Sequence, residues 1–487
     1  MSGTDRFLDA EQIRQAIGGR WHGGRDAPPW TTGVSIDSRT IRPGEAFFAI
    51  RGDRTDGHRY LNEAVRRGAA MLIVSDEAAL PHPFPDTQGD WPRVLVVPDT
   101  SRALGRLARS WRDQLGQTRV IAVTGSNGKT TTVRMIEAVL SSALRGSASP
   151  GSYNNHIGLP LTILSARAGD RFLVCEVGSS APGEIDRLGA IARPDAAVIT
   201  GVGGAHLEGF GSIEGVAREK TSLLGHLRPG GLAVVHEGVP GLDRSSAGGT
   251  RLVRFGRSDA ADLRLSNVRG DADGVRFDAI GLPDLFVPLL GEHNASNALA
   301  AVAIGRWMGL TDDQIRAGLG AVRRVAMRLE PAQVAGLTLV NDAYNANPDS
   351  TLAALATIGQ IAAATRPQRV VLVLGDLLEL GEATRSGHKR VIDAIGGMDR
   401  VDLLVAVGAN FAGAADRLGW DRTRIQRLDD LGDGRARSVA GMLRPGDLVL
   451  LKGSRAMGLE RIADALAERA RAGPGGRAPA GEPVAPR

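Results

Sequence analysis

The sequence lacks the features of a secreted or membrane-spanning protein. It contains a single cysteine, Cys175, so a disulfide within one chain is excluded. This cysteine lies in the apolar run Phe172–Val177, which indicates a small core residue. No apolar run approaches the length of a membrane span, and the charged, amphipathic N-terminal segment has no signal-peptide core. We therefore expect a cytoplasmic protein.

Aromatic residues and net charge are also low. Aromatic residues make up 4 % of the chain, and 59 Lys and Arg against 54 Asp and Glu leave a net charge of +5. No Lys/Arg cluster is interleaved with aromatic residues, which argues against nucleic acid as a partner. A mild positive balance suits small anionic substrates. We expect a monomer with small-molecule partners, no nucleic acid and no membrane span.

One stretch carries the strongest functional signal. The β-branched run Val120–Val123 is typical of a buried parallel strand, and a helical pattern follows Gly128. A Gly-rich turn between a strand and a helix lets backbone N–H groups approach an anion. Lys129 is suited to the terminal phosphates and a following threonine to Mg²⁺. This G-x-x-G-K-T-T pattern is tighter than the usual phosphate loop, and it predicts nucleoside triphosphate binding by Gly125, Ser126, Asn127, Gly128, Lys129, Thr130 and Thr131.

A chain of 487 residues suggests roughly three domains. Residues 1–100 alternate short strands and helices and predict a small α/β module with polar loops. Residues 101–326 carry the phosphate loop on a parallel sheet, with a hairpin at Asp273-Gly274 that leaves this sheet. Residues 327–472 contain four apolar strands, most followed by helices, and predict a doubly wound, Rossmann-like domain. The Gly/Pro/Ala/Arg-rich residues 473–487 predict a disordered tail.

Two polar residues follow predicted strands of the central domain. Glu176 stands at the end of Phe172–Val177, and His206 follows Ala196–Val202. Ligands of open α/β sheets bind beyond the carboxyl ends of the strands, so both are expected near the phosphate loop. Taken singly, Glu176 is also consistent with an ion pair and His206 with a loop cap. Without further context, Lys220 in the helical stretch Ile213–Leu224 is interpreted as a solvated lysine.

Eight motifs in order resemble the Mur ligase family, the ATP-dependent amide-forming ligases of cell-wall precursor synthesis. They are TGSNGKTT (124–131), SYNNHIGLPLTIL (152–164), EVGSSAPGEI (176–185), AHLEGFGSIEGVAREK (205–220), GEHNASNALAA (291–301), NDAYNANPDS (341–350), LGDLLELG (374–381) and LKGSRAMGLE (451–460). The last four, with DSR, PGEAFFAIRG and DGH near the start, look most like the branch that adds D-alanyl-D-alanine. The Asp-Asn-Pro-Arg motif expected of the branch adding the third residue is absent from 327–472.

The resemblance implies that ATP activates the carboxylate of UDP-N-acetylmuramoyl-tripeptide as an acyl phosphate, which the amine of D-Ala-D-Ala attacks. It also implies site residues. Mg²⁺, expected as two ions, would be held by Thr130, Glu176, His206 and a carbamylated Lys220. The expected catalytic residues are Lys129, Lys220, His206, Asn155, His293 and Arg328. The expected ATP contacts outside the phosphate loop are Asn294, Asn297, Asp342 and Asn345. The expected uridine or sugar contacts are Asp37, Ser38, Arg39, Phe47 and His58.

Two other functions remain open from the sequence. One is a sibling ligase with another amino substrate, such as a folate-polyglutamylating enzyme. The other is a nucleotide-switched regulatory module without acyl-phosphate chemistry. The chain also departs from the family at Gly201, where an asparagine is usual, so no side-chain amide is expected there.

Overall fold

The computed structural model describes residues 7–22, 30–53, 55–81, 92–242 and 250–472. These residues form two compact units. The first unit comprises the described parts of Met1–Val202, Ala217–Leu263 and Ala300–Gly318, and the second comprises those of Gly203–Val216, Arg264–Leu299 and Leu319–Arg487. The expected tail at 473–487 lies outside the described residues. Within the described ranges, no helix combines the length and apolar character that crossing a bilayer requires.

The first unit begins with a five-stranded sheet of order β1-β5-β4-β3-β2. Its strands are β1 (Arg20–His22), β2 (Val34–Ser35), β3 (Ala46–Phe48), β4 (Met71–Val74) and β5 (Arg93–Val96). β1 pairs antiparallel with β5, and the other pairs are parallel. The helices here are α1 (Ala10–Ile17), α2 (Leu61–Arg66) and α3 (Thr100–Gln114). The side chain of Asp99 accepts from Arg102 N, which fixes the start of α3.

A parallel sheet forms the rest of the first unit, in the order β11-β10-β9-β6-β8-β7. Its strands are β6 (Arg119–Thr124), β7 (Gly146–Ala148), β8 (Phe172–Glu176), β9 (Ala196–Ile199), β10 (Leu232–His236) and β11 (Arg251–Gly256). α4 (Lys129–Ser141), α5 (Gly158–Leu164) and α6 (Glu184–Ala192) alternate with these strands. One apolar cluster joins Phe48 and Leu95 of the N-terminal sheet to Leu107 of α3 and Leu173 of β8. The two sheets of this unit therefore share a core.

Two groups of strands belong chiefly to the second unit. The antiparallel strands β12 (Leu263–Gly270), β13 (Val275–Ala279) and β14 (Leu282–Val287) continue a nine-stranded order β14-β13-β12-β11-β10-β9-β6-β8-β7. The expected hairpin at Asp273-Gly274 is confirmed between β12 and β13, but the expectation that it leaves the sheet is wrong. The second group is a six-stranded sheet of order β15-β16-β20-β17-β18-β19, with only β15 antiparallel. Its strands are β15 (Glu330–Val334), β16 (Leu337–Asp342), β17 (Arg369–Gly375), β18 (Leu403–Val407), β19 (Ile425–Leu428) and β20 (Asp447–Lys452).

Helices cover both faces of this six-stranded sheet, and separate apolar clusters fill the two layers. The remaining helices are α7 (Leu207–Phe210), α8 (Ile213–Thr221), α9 (His293–Trp307), α10 (Asp312–Gly320), α11 (Pro348–Thr365), α12 (Thr384–Gly396), α13 (Ala409–Ala415), α14 (Asp433–Met442) and α15 (Glu460–Ala472). Short 3₁₀ turns occupy Gly57–Tyr60, Glu77–Ala79, Ser222–His226, Gly381–Ala383, Asp416–Leu418 and Arg455–Met457. The expected α/β class, with a doubly wound C-terminal sheet, is confirmed.

Candidate active site

The predicted phosphate loop connects β6 to α4, as the sequence indicates. Gly128, with φ of 80°, precedes the first residue of α4, Lys129. Gly125 has φ of 146°, and a Cβ there would overlap the hydroxyl of Thr200. Both positions therefore require glycine for backbone conformation, and Gly125 also for space. The backbone N–H groups at the start of α4 and the helix dipole favour an anion at this turn.

Residues outside the motif brace this loop. Ser126 N donates to Gly201 O at 2.9 Å, and the Thr200 hydroxyl donates to Asn127 O at 2.5 Å. Lys129 Nζ donates to Gly125 O at 2.8 Å, so its ammonium group lies over the turn. Gly201 has φ of 150°, a conformation that disfavours the asparagine usual in the family. The sequence did not identify Thr200, because a threonine after an apolar strand is an ordinary feature.

A buried carboxylate lies beside the loop. Glu176 is 1 % exposed; Thr130 Oγ1 donates to its Oε2 and Asn154 Nδ2 to its Oε1, each at 2.8 Å. A carboxylate and a threonine hydroxyl are hard oxygen donors, so this pair fits Mg²⁺ chemically. Asn154 was not predicted. Its neighbour Asn155 instead accepts from the N–H groups of Ile157 and Gly158 and forms the turn into α5.

Lys220 is buried, so its interpretation as a solvated lysine is wrong. It is 1 % exposed, and its Nζ donates to Ser179 Oγ at 2.6 Å. Burial, with a smaller contribution from the charge of Lys129, lowers the pKa of Lys220 to about 7. The neighbouring Glu219 accepts from the N–H groups of Gly183 and Ile185 at 2.8 Å each, which ties α8 to the start of α6. Near neutral pH, much of the Lys220 amine is therefore uncharged.

Of the five expected uridine or sugar contacts near the N-terminus, some are exposed and others are buried. The Arg39 side chain is 84 % exposed and pairs with Asp37, whose pKa this arginine lowers to about 2. Ser38, between them, is buried. Phe47 is fully buried in the sheet core, so the expectation that it contacts a uridine or sugar is not supported. His58 is also buried, with Nδ1 at 2.7 Å from Asp56 Oδ1 and Nε2 accepting from Ser75 N, so it supports a loop.

In the second unit, His206 precedes α7 with a left-handed backbone at φ of 55°. Its Nδ1 lies 2.5 Å from Glu379 Oε2, and Glu208 N donates to Glu379 O at 3.2 Å. Glu379 follows β17 within the LGDLLELG segment. Among the described residues, no three His, Cys, Asp or Glu side chains converge into a metal-binding group.

A buried ion pair lies at the ends of two neighbouring strands of the second unit. Lys452, at the end of β20, donates from Nζ to Asp342 Oδ2 at 2.6 Å and to Asn345 O at 3.3 Å. Lys452 is 2 % and Asp342 8 % exposed. Asp342 also accepts from Leu329 N at 3.2 Å. The sequence did not identify Lys452 because its partner lies 110 residues away.

The other expected nucleotide contacts are also in the second unit. Asn294 Nδ2 donates to Leu290 O at 2.7 Å, and Asn297 Nδ2 donates to Asn294 Oδ1 at 3.1 Å, so these two residues lie together. The Arg328 guanidinium stacks 4.2 Å from the centre of the Tyr344 ring. His293, the first residue of α9, and Asn345 are exposed.

Three segments of the chain match domains of one family. Residues 31–112 match "Mur ligase family, catalytic domain", residues 123–305 match "Mur ligase middle domain", and residues 327–455 match "Mur ligase, glutamate ligase domain". The phosphate loop, Glu176 and Lys220 lie in the middle segment, and the Asp342–Lys452 pair lies in the last.

Similar proteins match nearly the whole chain. The UDP-N-acetylmuramoyl-tripeptide–D-alanyl-D-alanine ligase of Bacillus subtilis is 36 % identical over 440 residues, which are 90 % of this chain and 93 % of that protein. The Escherichia coli ligase of the same name is 34 % identical over 447 residues, covering 89 % and 93 %. A crystal structure of MurF from Acinetobacter baumannii superposes with a TM-score of 0.80 at 29 % identity over 95 % of this chain and 99 % of that one. MurF from Thermotoga maritima in complex with ADP gives 0.73 at 26 % identity, covering 90 % and 98 %.

Proposed function

Because the chain belongs to the Mur ligase family, we propose that it joins D-alanyl-D-alanine to UDP-N-acetylmuramoyl-tripeptide and converts ATP to ADP and phosphate. The observation that carries this choice of substrates is the end-to-end similarity to ligases of that name, at 36 % identity over 90 % of the chain. The absent Asp-Asn-Pro-Arg motif in 327–472 agrees with it. The product is a precursor of peptidoglycan, and the use of ATP and a UDP-linked substrate implies the cytoplasm.

The reaction has two chemical steps. The terminal carboxylate of the tripeptide attacks the γ-phosphorus of ATP, ADP leaves, and an acyl phosphate forms. The amine of D-Ala-D-Ala then attacks the acyl carbon, and the tetrahedral intermediate loses phosphate and a proton to give the amide. Phosphoryl transfer depends on positioning and charge neutralisation. Lys129 and the N–H groups of the 125–131 loop supply both, because the loop is held by Thr200 and Gly201.

Magnesium fits the oxygen donors beside this loop. Thr130 and Glu176 are the residues that would hold it, with Asn154 orienting the carboxylate. Bound Mg²⁺ offsets negative charge on the phosphates. His206 is the expected ligand of a second ion, as the resemblance implies. The remaining expected contacts, Asn155, His293, Asn294, Asn297, Arg328, Asp342 and Asn345 for nucleotide and acyl phosphate and Asp37, Ser38 and Arg39 for the UDP-sugar, stay part of the proposal.

Carbamylation of Lys220 is the second component of the proposal. Its neutral amine attacks the carbon of CO₂, an N–C bond forms, one C=O electron pair moves to oxygen, and the nitrogen loses a proton. The product is an anionic oxygen ligand. A pKa of about 7 supports this step, because an ordinary lysine is almost entirely protonated at neutral pH and cannot attack CO₂. Lys220 is 1 % exposed, so a carbamate formed there would be shielded from solvent.

Substrate dependence of ADP release tests the function. We expect steady-state ADP release to require ATP, the UDP-linked tripeptide and D-Ala-D-Ala together, with each omission giving only background. Mass spectrometry of the product should show the tripeptide extended by two alanine residues. Full turnover with a single free amino acid, or with a folate in place of the tripeptide, would assign the chain to another branch. ATP binding without any ligation product would favour the regulatory alternative.

A further inference from the structure

The backbone is in an unusual conformation on both sides of Arg328. Met327 has φ of 56° and Leu329 has φ of 47°, both in the left-handed region that residues with a Cβ seldom adopt. Such residues persist where the surrounding structure fixes them, and they are common at functional sites. The direction of the Arg328 side chain is therefore set by contacts from other parts of the second unit.

The end of β16 supplies the backbone contacts of this segment. Tyr344, two residues after the strand, donates its N–H to Met327 O at 3.3 Å. Leu329 N donates to Asp342 Oδ1 at 3.2 Å, and Asp342 is the last residue of β16. Hydrogen bonds from one strand end thus hold the residue before Arg328 and the residue after it.

Tyr344 also contacts the side chain of Arg328. The guanidinium carbon lies 4.2 Å from the centre of the Tyr344 ring, within the range of a cation–π contact. A second arginine, Arg455, lies 5.9 Å from the same ring, and its Nη1 donates to Met327 Sδ at 3.3 Å. The ring of Tyr344 restricts the Arg328 guanidinium, while Arg455 braces the residue before it.

The chemistry of arginine explains what this contact achieves. A guanidinium group binds phosphate through two parallel N–H groups, so its orientation matters as well as its charge. Ordering a mobile side chain on binding costs conformational entropy, and a side chain that is already stacked loses less. An aromatic ring is a suitable support, because it attracts the cation through its face and leaves the N–H donors available.

We propose that Tyr344 is a positioning residue whose ring and backbone N–H hold Arg328 in the orientation that binds phosphate. This inference rests on the proposed function, which takes Arg328 as a contact of the nucleotide or acyl phosphate. Tyr344 acts through the arginine and has no direct role in bond formation. The role needs the aromatic ring, which phenylalanine also supplies, and it does not need the hydroxyl group.

The test uses the full-length protein and matched substitutions. Tyr344→Leu removes the ring and keeps an apolar side chain, whereas Tyr344→Phe removes only the hydroxyl group. Phe286→Leu is the matched control, because it removes a ring that lies 4.7 Å from the guanidinium of the exposed Arg276 in the same unit. Denaturant melts of all variants establish that the second unit is folded.

The first measurement is ¹⁵N relaxation of the Arg328 Nε–H group in the free protein. The signal is assigned as the one missing from Arg328→Ala, and its relaxation reports motion on the picosecond to nanosecond timescale. We expect a rigid group in the unaltered protein, in Tyr344→Phe and in Phe286→Leu, and a mobile group in Tyr344→Leu. No substrate is present, so this result does not depend on which molecules are ligated.

The second measurement is kcat/KM for ATP in the ligation assay. Tyr344→Leu should lower it about 3- to 30-fold, as expected for the loss of a partly buried cation–π contact. Tyr344→Phe and Phe286→Leu should stay within about twofold of the unaltered protein. In an Arg328→Ala background, Tyr344→Leu should cause a further loss of less than about twofold, because the group that it positions is already absent.

Three results would overturn the positioning role. They are an Arg328 Nε–H group that stays rigid in Tyr344→Leu, a loss in Tyr344→Phe as large as in Tyr344→Leu, and a full additional loss when Tyr344→Leu is combined with Arg328→Ala. The last two would indicate that Tyr344 contacts the substrate itself. An unchanged kcat/KM in Arg328→Ala would remove Arg328 from the proposed site and leave Tyr344 a purely structural role. A failure of the proposed substrates would instead abolish ligation in the unaltered protein and leave the NMR result unaffected.

Discussion

The two units use different means to place their polar residues. In the first unit, the turn at residues 125–128 leads directly into the first residues of α4, and backbone conformation does most of the positioning. In the second unit, the Asp342–Lys452 pair joins the ends of two strands that are 110 residues apart in sequence. A turn of this kind is encoded by glycines at fixed spacing, whereas the ion pair exists only after β16 and β20 are aligned. Substitutions in the two regions should therefore affect different properties.

The largest expected effect is on the stability of the second unit. Lys452→Met leaves Asp342 buried without its ammonium partner, and breaking a buried pair in this way costs about 3–5 kcal/mol. Hydrogen exchange of β16 and β20 as a function of denaturant measures this loss. The double variant Asp342→Asn with Lys452→Met should recover much of it, because no unpaired charge remains.

Lys389→Met is the control for removing a lysine charge. Lys389 is half-exposed and pairs with Asp393 on the surface of α12, and such pairs contribute about 0.2–1 kcal/mol. A loss below about 1 kcal/mol in Lys452→Met as well would contradict the importance assigned to the buried pair.

The next largest effect should be on turnover, in the first unit. In the proposed mechanism Lys129 neutralises charge on the transferring phosphoryl group. Lys129→Ala removes this cation, and we expect the turnover rate to fall about 10²- to 10³-fold. The stability loss should be only about 1 kcal/mol, because the substitution removes one hydrogen bond, to Gly125 O. Steady-state kinetics with a parallel denaturant melt gives both values.

The contrast with Lys452→Met sharpens the comparison, because we expect Lys129 to determine mainly the turnover rate and Lys452 mainly the stability of the second unit. Lys389→Ala is again the control and should leave the rate unchanged. A Lys129→Ala enzyme with more than about a tenth of normal turnover would show that the backbone N–H groups hold the phosphates unaided.

Much of the fold was predictable, because buried parallel strands leave continuous apolar runs in the sequence. The strand, turn and helix around Lys129 were identified from residue types alone, and Glu176 was placed correctly at the end of β8. The antiparallel β1 was missed, since three residues with Arg20 and His22 exposed resemble a loop. Phe47 was assigned to a ligand only through the family resemblance, while its side chain packs in the core.

The residues that support the site were the least predictable. Thr200 and Asn154 contact residues distant in sequence, and although Asn154 lies in the segment SYNNHIGLPLTIL, no residue type or spacing there indicates its partner. The burial of Lys220 was also not predictable. The helix α8 contains both polar and apolar residues, and its sequence does not show which face packs inward.

The smallest expected effect is the pH dependence of carbamate formation on Lys220. This lysine is buried in the first unit, as Lys452 is in the second. Its pKa is lowered from 10.5 to about 7, so the neutral amine predominates above pH 7 and becomes about tenfold rarer with each pH unit below it. At a fixed concentration of dissolved ¹³CO₂, the initial rate of carbamate formation on Lys220 should therefore rise about tenfold per unit up to pH 7 and then level off.

Carbon-13 NMR measures this rate directly, without dependence on ligation. The chain has four lysines, and Lys220→Arg should remove the carbamate signal while Lys389→Arg keeps it. Lys220→Ala should lose ligation, with partial recovery in acetate, because a small carboxylate can occupy the space of the carbamate. A formation rate that keeps rising tenfold per unit to pH 10 would indicate a lysine with an ordinary pKa. Near-normal ligation by Lys220→Arg would show that the buried amine serves the packing of α8 and not the reaction, which would make it the counterpart of Lys452.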